Sequence, residues 1–343
     1  MRALRWFGRR QVRLEDLPLP EPSPNEVVLR VAYCGICGTD IEEYASGPLL
    51  IPVTPHPLTG RMAPLTLGHE FAGTVAARGS EVKTLNVGDR VVPEICLYCG
   101  TCVYCRAGKH ALCQSWAAIG LHTDGGLADY VSVPAEACSR LPDSVTDQEA
   151  ALIEPLEVAV RAVRKANLDR GGTLVITGAG PIGLLVLQVA RAAGAGRIVV
   201  VEPREARRKL AGTLGADSTI VEVVGELAAD AAIECAGRSE SVQTAFESVR
   251  KGGRVVLVGI PTGSLSLDLM PLISGERQVV GSIQHQRGED LEVALKLVTD
   301  RKVALTALIS DVIPLSAVAG YLENSGSATN DATKVIVDVG GAG

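Results

Sequence analysis

The order of apolar and polar positions changes character near residue 150. Before that point, short apolar runs are cut by glycine and proline. Val27–Tyr33, Phe71–Val75 and Asp89–Pro93 read as strands, and Pro48–Pro64 reads as loop. Short strands at this spacing predict a compact β-rich domain of barrel type. After it, continuous apolar strands alternate with helical periods. Thr173–Thr177 is a strand, a helical run ends at Ala193, and Arg197–Val201 is a second strand. Further strands are predicted at Asp230–Gly237, Gly253–Gly259 and Gln278–Gly281, an amphipathic helix at Asp290–Thr299, and a closing strand at Thr333–Asp338. Strands alternating with helices indicate βαβ units and a parallel sheet, so the chain is of the α/β class, with two domains.

The first βα turn of the second half carries a specific chemistry. Gly178-Ala-Gly180-Pro181-Ile182-Gly183 follows an apolar strand and opens a helix, which is the context the dinucleotide fingerprint requires. Gly178 makes the turn, Gly180 admits a pyrophosphate, and Gly183 lets helix and strand approach closely. The helix N-terminus offers its positive end to phosphate. Glu202 ends the next strand, where a carboxylate accepts hydrogen bonds from ribose hydroxyls and repels a 2′-phosphate. NAD is therefore expected over NADP, with Arg204 and Arg207 as the residues that would serve a phosphate instead.

Nine cysteines raise the question of disulfides. Four of them, Cys99, Cys102, Cys105 and Cys113, crowd one short segment at the spacing that wraps one tetrahedral ion. An all-thiolate shell leaves no place for substrate, so this site reads as structural zinc, with an iron–sulfur cluster or free thiols as the alternatives. Cys96 lies just outside the pattern, and Cys34, Cys138 and Cys235 sit in apolar surroundings that suggest core. A second, open site is suggested by Leu67-Gly-His69-Glu70, given Cys37 and Glu154 elsewhere in the chain. One thiolate, one imidazole and a carboxylate leave a position for water or substrate.

Composition narrows the class of partner. With a net charge of −6 over 343 residues and only small arginine clusters, nucleic acid is not expected. No apolar run reaches the roughly 18 residues that a membrane span requires. Met1–Arg10 is charged and lacks a following apolar core, so a secretory leader is not expected and the cytoplasm is.

Taken together, these residues resemble the zinc-dependent medium-chain alcohol dehydrogenase family, with its 2,3-butanediol and polyol dehydrogenases as the nearest likeness. The resemblance covers nearly the whole chain. It is carried by Pro55–Gly60, Leu67–Glu70, the four-cysteine segment, Ala151–Leu156 and Val200–Pro203. It implies a GroES-like catalytic domain over 1–150, a Rossmann domain over 151–285, and a return to the catalytic domain over 286–343. It also implies two zinc ions per chain, NAD as cofactor, a small alcohol or ketone as substrate, and a homodimer or homotetramer. Cys37, His69 and either Glu70 or Glu154 would hold the catalytic zinc, and Thr39 matches the hydroxyl that takes the alcohol proton. The reaction implied is reversible oxidation of a secondary alcohol in a small diol, polyol or cyclitol. An amino-alcohol substrate, or a non-catalytic NAD-binding protein, are the other readings. Two positions depart from the pattern. Glu42 stands where many relatives carry histidine at the outer end of the proton relay, and Glu157 where a small residue is usual. Both extra carboxylates are expected as surface charge, with attraction of an ammonium on the substrate as the alternative.

Overall fold

The computed structural model describes residues 1–261, 264, 267–325 and 332–341. The chain forms two compact units. The first comprises Met1–Glu154, Gln286–Leu291 and Ile309–Gly343, and the second Pro155–His285 and Glu292–Leu308.

The first unit is built on a seven-stranded sheet. Its order is Cys138–Arg140, Arg90–Pro93, Glu70–Arg78, Glu26–Gly35, Lys334–Asp338 and Ile309–Pro314, with Tyr130–Pro134 also paired to Glu26–Gly35. Arg2–Gly8 and Gln11–Asp16 form a hairpin that the sequence pattern did not predict. Leu4, Trp6, Leu29, Leu67, Phe71 and Leu127 pack beneath these sheets, so a chain poor in aromatics still centres this core on two of them.

Register in this sheet places chemistry. Glu26–Gly35 runs antiparallel to Glu70–Arg78 with Gly35 opposite Glu70. Cys37 therefore lies just past the end of one strand and His69 just before the start of its neighbour. On the other flank Ile336 pairs with Gly35, which brings Lys334 level with the residues after Gly35. Three segments far apart in sequence thus converge on one sheet end.

The second unit is a six-stranded, wholly parallel sheet. Its spatial order is Ser218–Ile220, Arg197–Val201, Thr173–Thr177, Ala229–Glu234, Val249–Leu257 and Gln278–Gly281. Numbered along the chain this is 3-2-1-4-5-6, so the order reverses between Thr173–Thr177 and Ala229–Glu234, where such folds bind dinucleotides. The helix Pro181–Ala193 starts with proline in its first turn and stops at Gly194, whose φ of 99° closes the last turn. The predicted strand over 230–237 ends three residues early. The Glu234 carboxylate accepts the N–H groups of Ala236 and Gly237, bending the chain into a turn.

Candidate active site and metal centres

The open site assembles at the sheet end just described. The helix Gly38–Ser46 begins at Cys37, whose N–H donates to Asp40 Oδ2 at 2.9 Å. Asp40 is fully buried, and its other oxygen lies 3.6 Å from His69 Nδ1. The carboxylate faces the imidazole at a separation longer than a hydrogen bond, and both of these buried atoms are without a hydrogen-bond partner. Ligand atoms of Cys37, His69 and Glu70 all lie within 4.8 Å of one another. Thr39 Oγ1, two residues along the helix, is 3.7 Å from Cys37 Sγ. Glu154, in the first turn of the helix Ile153–Ala166, is buried but falls outside this trio.

Lys334 completes the cluster and was not anticipated. Its Nζ donates to the Ile36 carbonyl at 2.9 Å and pairs with Glu70 Oε2, both side chains being 2% exposed. Burial pulls the ammonium toward neutrality, but the charges of Glu70 and Cys37 outweigh it and raise its pKa, with Glu154 adding to the effect. His69 behaves alike: burial lowers it, while Asp40 and Cys37 drive it well above its ordinary value. The donor set is thus strongly anionic and fits a divalent cation. A thiolate, an imidazole and a carboxylate with one position open is the composition of a catalytic zinc site.

The four-cysteine segment fits a closed zinc shell. Ligand atoms of Cys99, Cys102, Cys105 and Cys113 lie within 4.8 Å of one another. Cys99 Sγ and Cys105 Sγ are 3.9 Å apart, far beyond a disulfide bond but near the roughly 3.8 Å that tetrahedral Zn–S bonds of about 2.3 Å impose. Backbone N–H groups of Cys99, Cys102 and Cys105 donate to Cys113, Cys99 and Cys102 sulfurs at 3.3–3.4 Å. Backbone donors of this kind, first those of Thr101 and Cys102, hold the Cys99 thiol down to about 6. The lobe is pinned by a distant strand of sequence. Gln286 Nε2 donates to the Gly108 carbonyl at 2.6 Å, and the Arg287 guanidinium stacks 5.0 Å from the Tyr98 ring, itself stacked on His110.

In the second unit the glycine loop packs closely against the helix that follows it. A Cβ on Gly183 would stand 1.9 Å from the Gly178 carbonyl oxygen, so helix and loop meet there only because the side chain is missing. The buried Glu202 carboxylate accepts Ala179 N–H at 2.8 Å and Arg204 N–H at 3.0 Å, tying the end of the second strand to the loop. Arg207 reaches toward Gly180, its Nη1 lying 3.9 Å from where a Cβ would be. Pro181 and Ile182 form the first turn of the helix. Glu157, expected as surface charge, is fully buried and sits 3.0 Å from His285 Nδ1, because its place on the helix Ile153–Ala166 faces inward.

Comparison with known proteins agrees with this geometry. Residues 23–143 match the alcohol dehydrogenase GroES-like domain and residues 181–300 the zinc-binding dehydrogenase domain. The chain is 36% identical over 332 residues to (R,R)-butanediol dehydrogenase of Bacillus subtilis (strain 168), covering 91% of this chain and 94% of the relative. It belongs to the zinc-dependent medium-chain alcohol dehydrogenase family. The dehydrogenase is also 35% identical over 323 residues to D-xylulose reductase A of Aspergillus niger, with 89% and 88% of the two chains covered. The crystal structure of 2R,3R-butanediol dehydrogenase from Bacillus subtilis superposes with a TM-score of 0.91 at 32% identity, over 98% of this chain and 99% of that one. Among the described residues no helix of the dehydrogenase is long and apolar enough to cross a membrane.

Proposed function

We propose that this dehydrogenase oxidises one secondary hydroxyl of a small diol or polyol to the ketone, reversibly, with NAD as the hydride acceptor. The observation that carries the reading is the gathering of Cys37, His69 and Glu70 beside Thr39 at one sheet end. Those three residues would hold the catalytic zinc, with Glu154 as the alternative carboxylate, and the four cysteines the structural one. Zinc bound there supplies Lewis acidity that lowers the pKa of an alcohol oxygen. Dinucleotide bound at Gly178, Gly180 and Gly183 supplies the hydride acceptor.

The chain's own residues handle orientation and the proton. Asp40 sets a negative charge beside the His69 imidazole, and Lys334 holds Glu70. Thr39 Oγ1 receives the hydroxyl proton. Glu42, three residues further along the same helix, shares its face and passes the proton outward. Burial, and then the neighbouring Glu43, raise the Glu42 pKa above that of an ordinary carboxylate, which moves it toward the range a relay needs. Glu202, with both oxygens anchored, favours the free ribose of NAD over a 2′-phosphate, against the nearby Arg204 and Arg207.

The relatives' substrates support the choice of diols and polyols. Self-association as a dimer or tetramer is supported by the edge strand Gln278–Gly281, which exposes Val279, and by the preceding helix Met270–Ser274, where Leu269, Met270 and Ile273 expose apolar side chains. A reducing compartment such as the cytoplasm suits thiols gathered for metal. The test is oxidation of a panel of diols, polyols and simple secondary alcohols with NAD and NADP. Turnover of none of them by protein holding its zinc would overturn the reading.

A further inference from the structure

His122 is 6% exposed and lies in the turn that backs onto the catalytic strand end. Gly126 N–H donates to the Gly68 carbonyl at 2.8 Å and Leu127 N–H to the Leu67 carbonyl at 2.9 Å. A Cβ on Gly120 would lie only 3.0 Å from His69 N. The turn carrying His122 is therefore in van der Waals contact with the peptide that presents the zinc-site imidazole.

The imidazole is fixed in place and in tautomer. Its Nδ1 accepts the Ala118 N–H at 3.1 Å, so in the neutral ring the proton sits on Nε2. Trp116 packs edge-on with its ring centroid at 4.9 Å and His56 with its centroid at 4.7 Å. Thr59 Oγ1 donates to the His122 carbonyl at 2.7 Å, and Asp124 joins Arg61 to the Thr66 N–H, so the loop carrying His56 is latched to the turn. Burial, and then the nearby His56, push His122 down to about 4. At working pH it is a neutral N–H donor. Among the described residues Nε2 meets no hydrogen-bond partner, and it is not one of the enclosed orphan atoms. The ring is buried, packed by Trp116 and His56 and hydrogen-bonded by Ala118, and among the described residues Nε2 is its one polar atom without a protein partner.

We propose that His122 is a specificity-determining residue. Its Nε2–H donates to the substrate's second oxygen, on the carbon next to the one oxidised, and so selects vicinal diols over simple secondary alcohols. The inference deepens the diol reading above and rests on it. A donor that cannot accept fits a hydroxyl or ketone oxygen as acceptor. The desolvated ring penalises a substrate that leaves its N–H unpaired.

The experiment pairs the protein with two substrates that differ by one hydroxyl, 2,3-butanediol and 2-butanol, using zinc-loaded enzyme and NAD. In His122→Phe, which keeps the packing against Trp116 and His56, the ratio of kcat/KM for the diol over 2-butanol should fall about tenfold, the size of one hydrogen bond. The fall should appear mainly in KM for the diol. His122→Gln, which restores an N–H donor, should hold the ratio within about threefold of wild type. If the Phe variant does not fold, His122→Asn offers Ala118 an acceptor but is too short to reach the substrate, and should show the same loss. A diol preference that survives in His122→Phe or His122→Asn overturns the role of His122 alone, as does an equal loss in His122→Gln. A wild type that handles 2-butanol as efficiently as the diol overturns the diol reading and this proposal with it.

Discussion

Replacing Lys334 by methionine isolates the buried pair with Glu70. The substitution keeps an unbranched apolar stem, one atom shorter, and removes the charge, leaving a carboxylate that is 2% exposed without its cation. At a usual contact of about 2.8 Å and an effective dielectric of about 20, the attraction lost is about 6 kcal/mol. The bond to the Ile36 carbonyl adds on the order of 1 kcal/mol. Methionine is easier to bury than ammonium, which offsets part of this. Breaking one side of a buried pair costs about 3–5 kcal/mol net. For a unit of this size 1 kcal/mol corresponds to about 2–4 °C, so the melting temperature should fall by roughly 10 °C. The assay is thermal unfolding at matched zinc, with Lys334→Arg as the conservative control and Glu70→Gln as the partner change. The double variant should recover at least about 2 kcal/mol relative to the sum of the singles. Strict additivity, or a Lys334→Met melt within 2 °C of wild type, would refute the account.

Metal analysis should find close to two zinc ions per chain; Cys37→Ser should lose one with the fold intact, whereas Cys102→Ser should unfold the lobe, seen as protease cleavage within 99–113. Glu202→Ala should move the ratio of kcat/KM for NAD over NADP toward NADP by at least about tenfold, equivalent to about 1.4 kcal/mol, since it removes both the repulsion and the anchor on Ala179; an unchanged ratio would assign cofactor choice to Arg204 and Arg207. Alcohol oxidation should rise as pH climbs through the raised Glu42 pKa, because only its ionised form can take a proton from Thr39. Glu42→Gln should flatten that limb of the pH–rate profile, and an unaltered profile would remove Glu42 from the relay.

What could be read from the sequence was what is encoded locally. The strand Thr173–Thr177, the helix ending at Ala193 and the strand Arg197–Val201 fall where the apolar periods place them, because glycine, proline and chain direction set their ends within a few residues. The four cysteines declare themselves by spacing alone. Lys334 does not, since nothing near residue 334 reveals that it lies level with Cys37; that follows only from the antiparallel register of Ile336 with Gly35. Asp40 carried a weak local signal, being three residues after Cys37 where a capping carboxylate belongs. Glu157 was misjudged because a charge on an amphipathic helix normally faces water, and here His285 meets it in the interior. The first hairpin was missed because its arginines mask a pattern whose inward positions are Leu4 and Trp6.

The central place of Lys334–Asp338 in the first sheet has a consequence for biosynthesis. This strand is wedged between Glu26–Gly35 and Ile309–Pro314, and the bond from Lys334 to Ile36 spans 298 residues. A nascent chain that has delivered everything up to residue 308 already holds a complete parallel-sheet unit, able to fold while the earlier-made unit still waits for its inner strand. Folding of that unit at this stage would make the folding order on the ribosome the reverse of the synthesis order. Until the last strand arrives, Glu70 lacks its ammonium partner and the sheet end bearing Cys37 and His69 has an open flank. The candidate zinc site at that sheet end would then be the last part of the first unit to mature, and early metal capture by Cys37, His69 and Glu70 would be capture by an unfinished sheet.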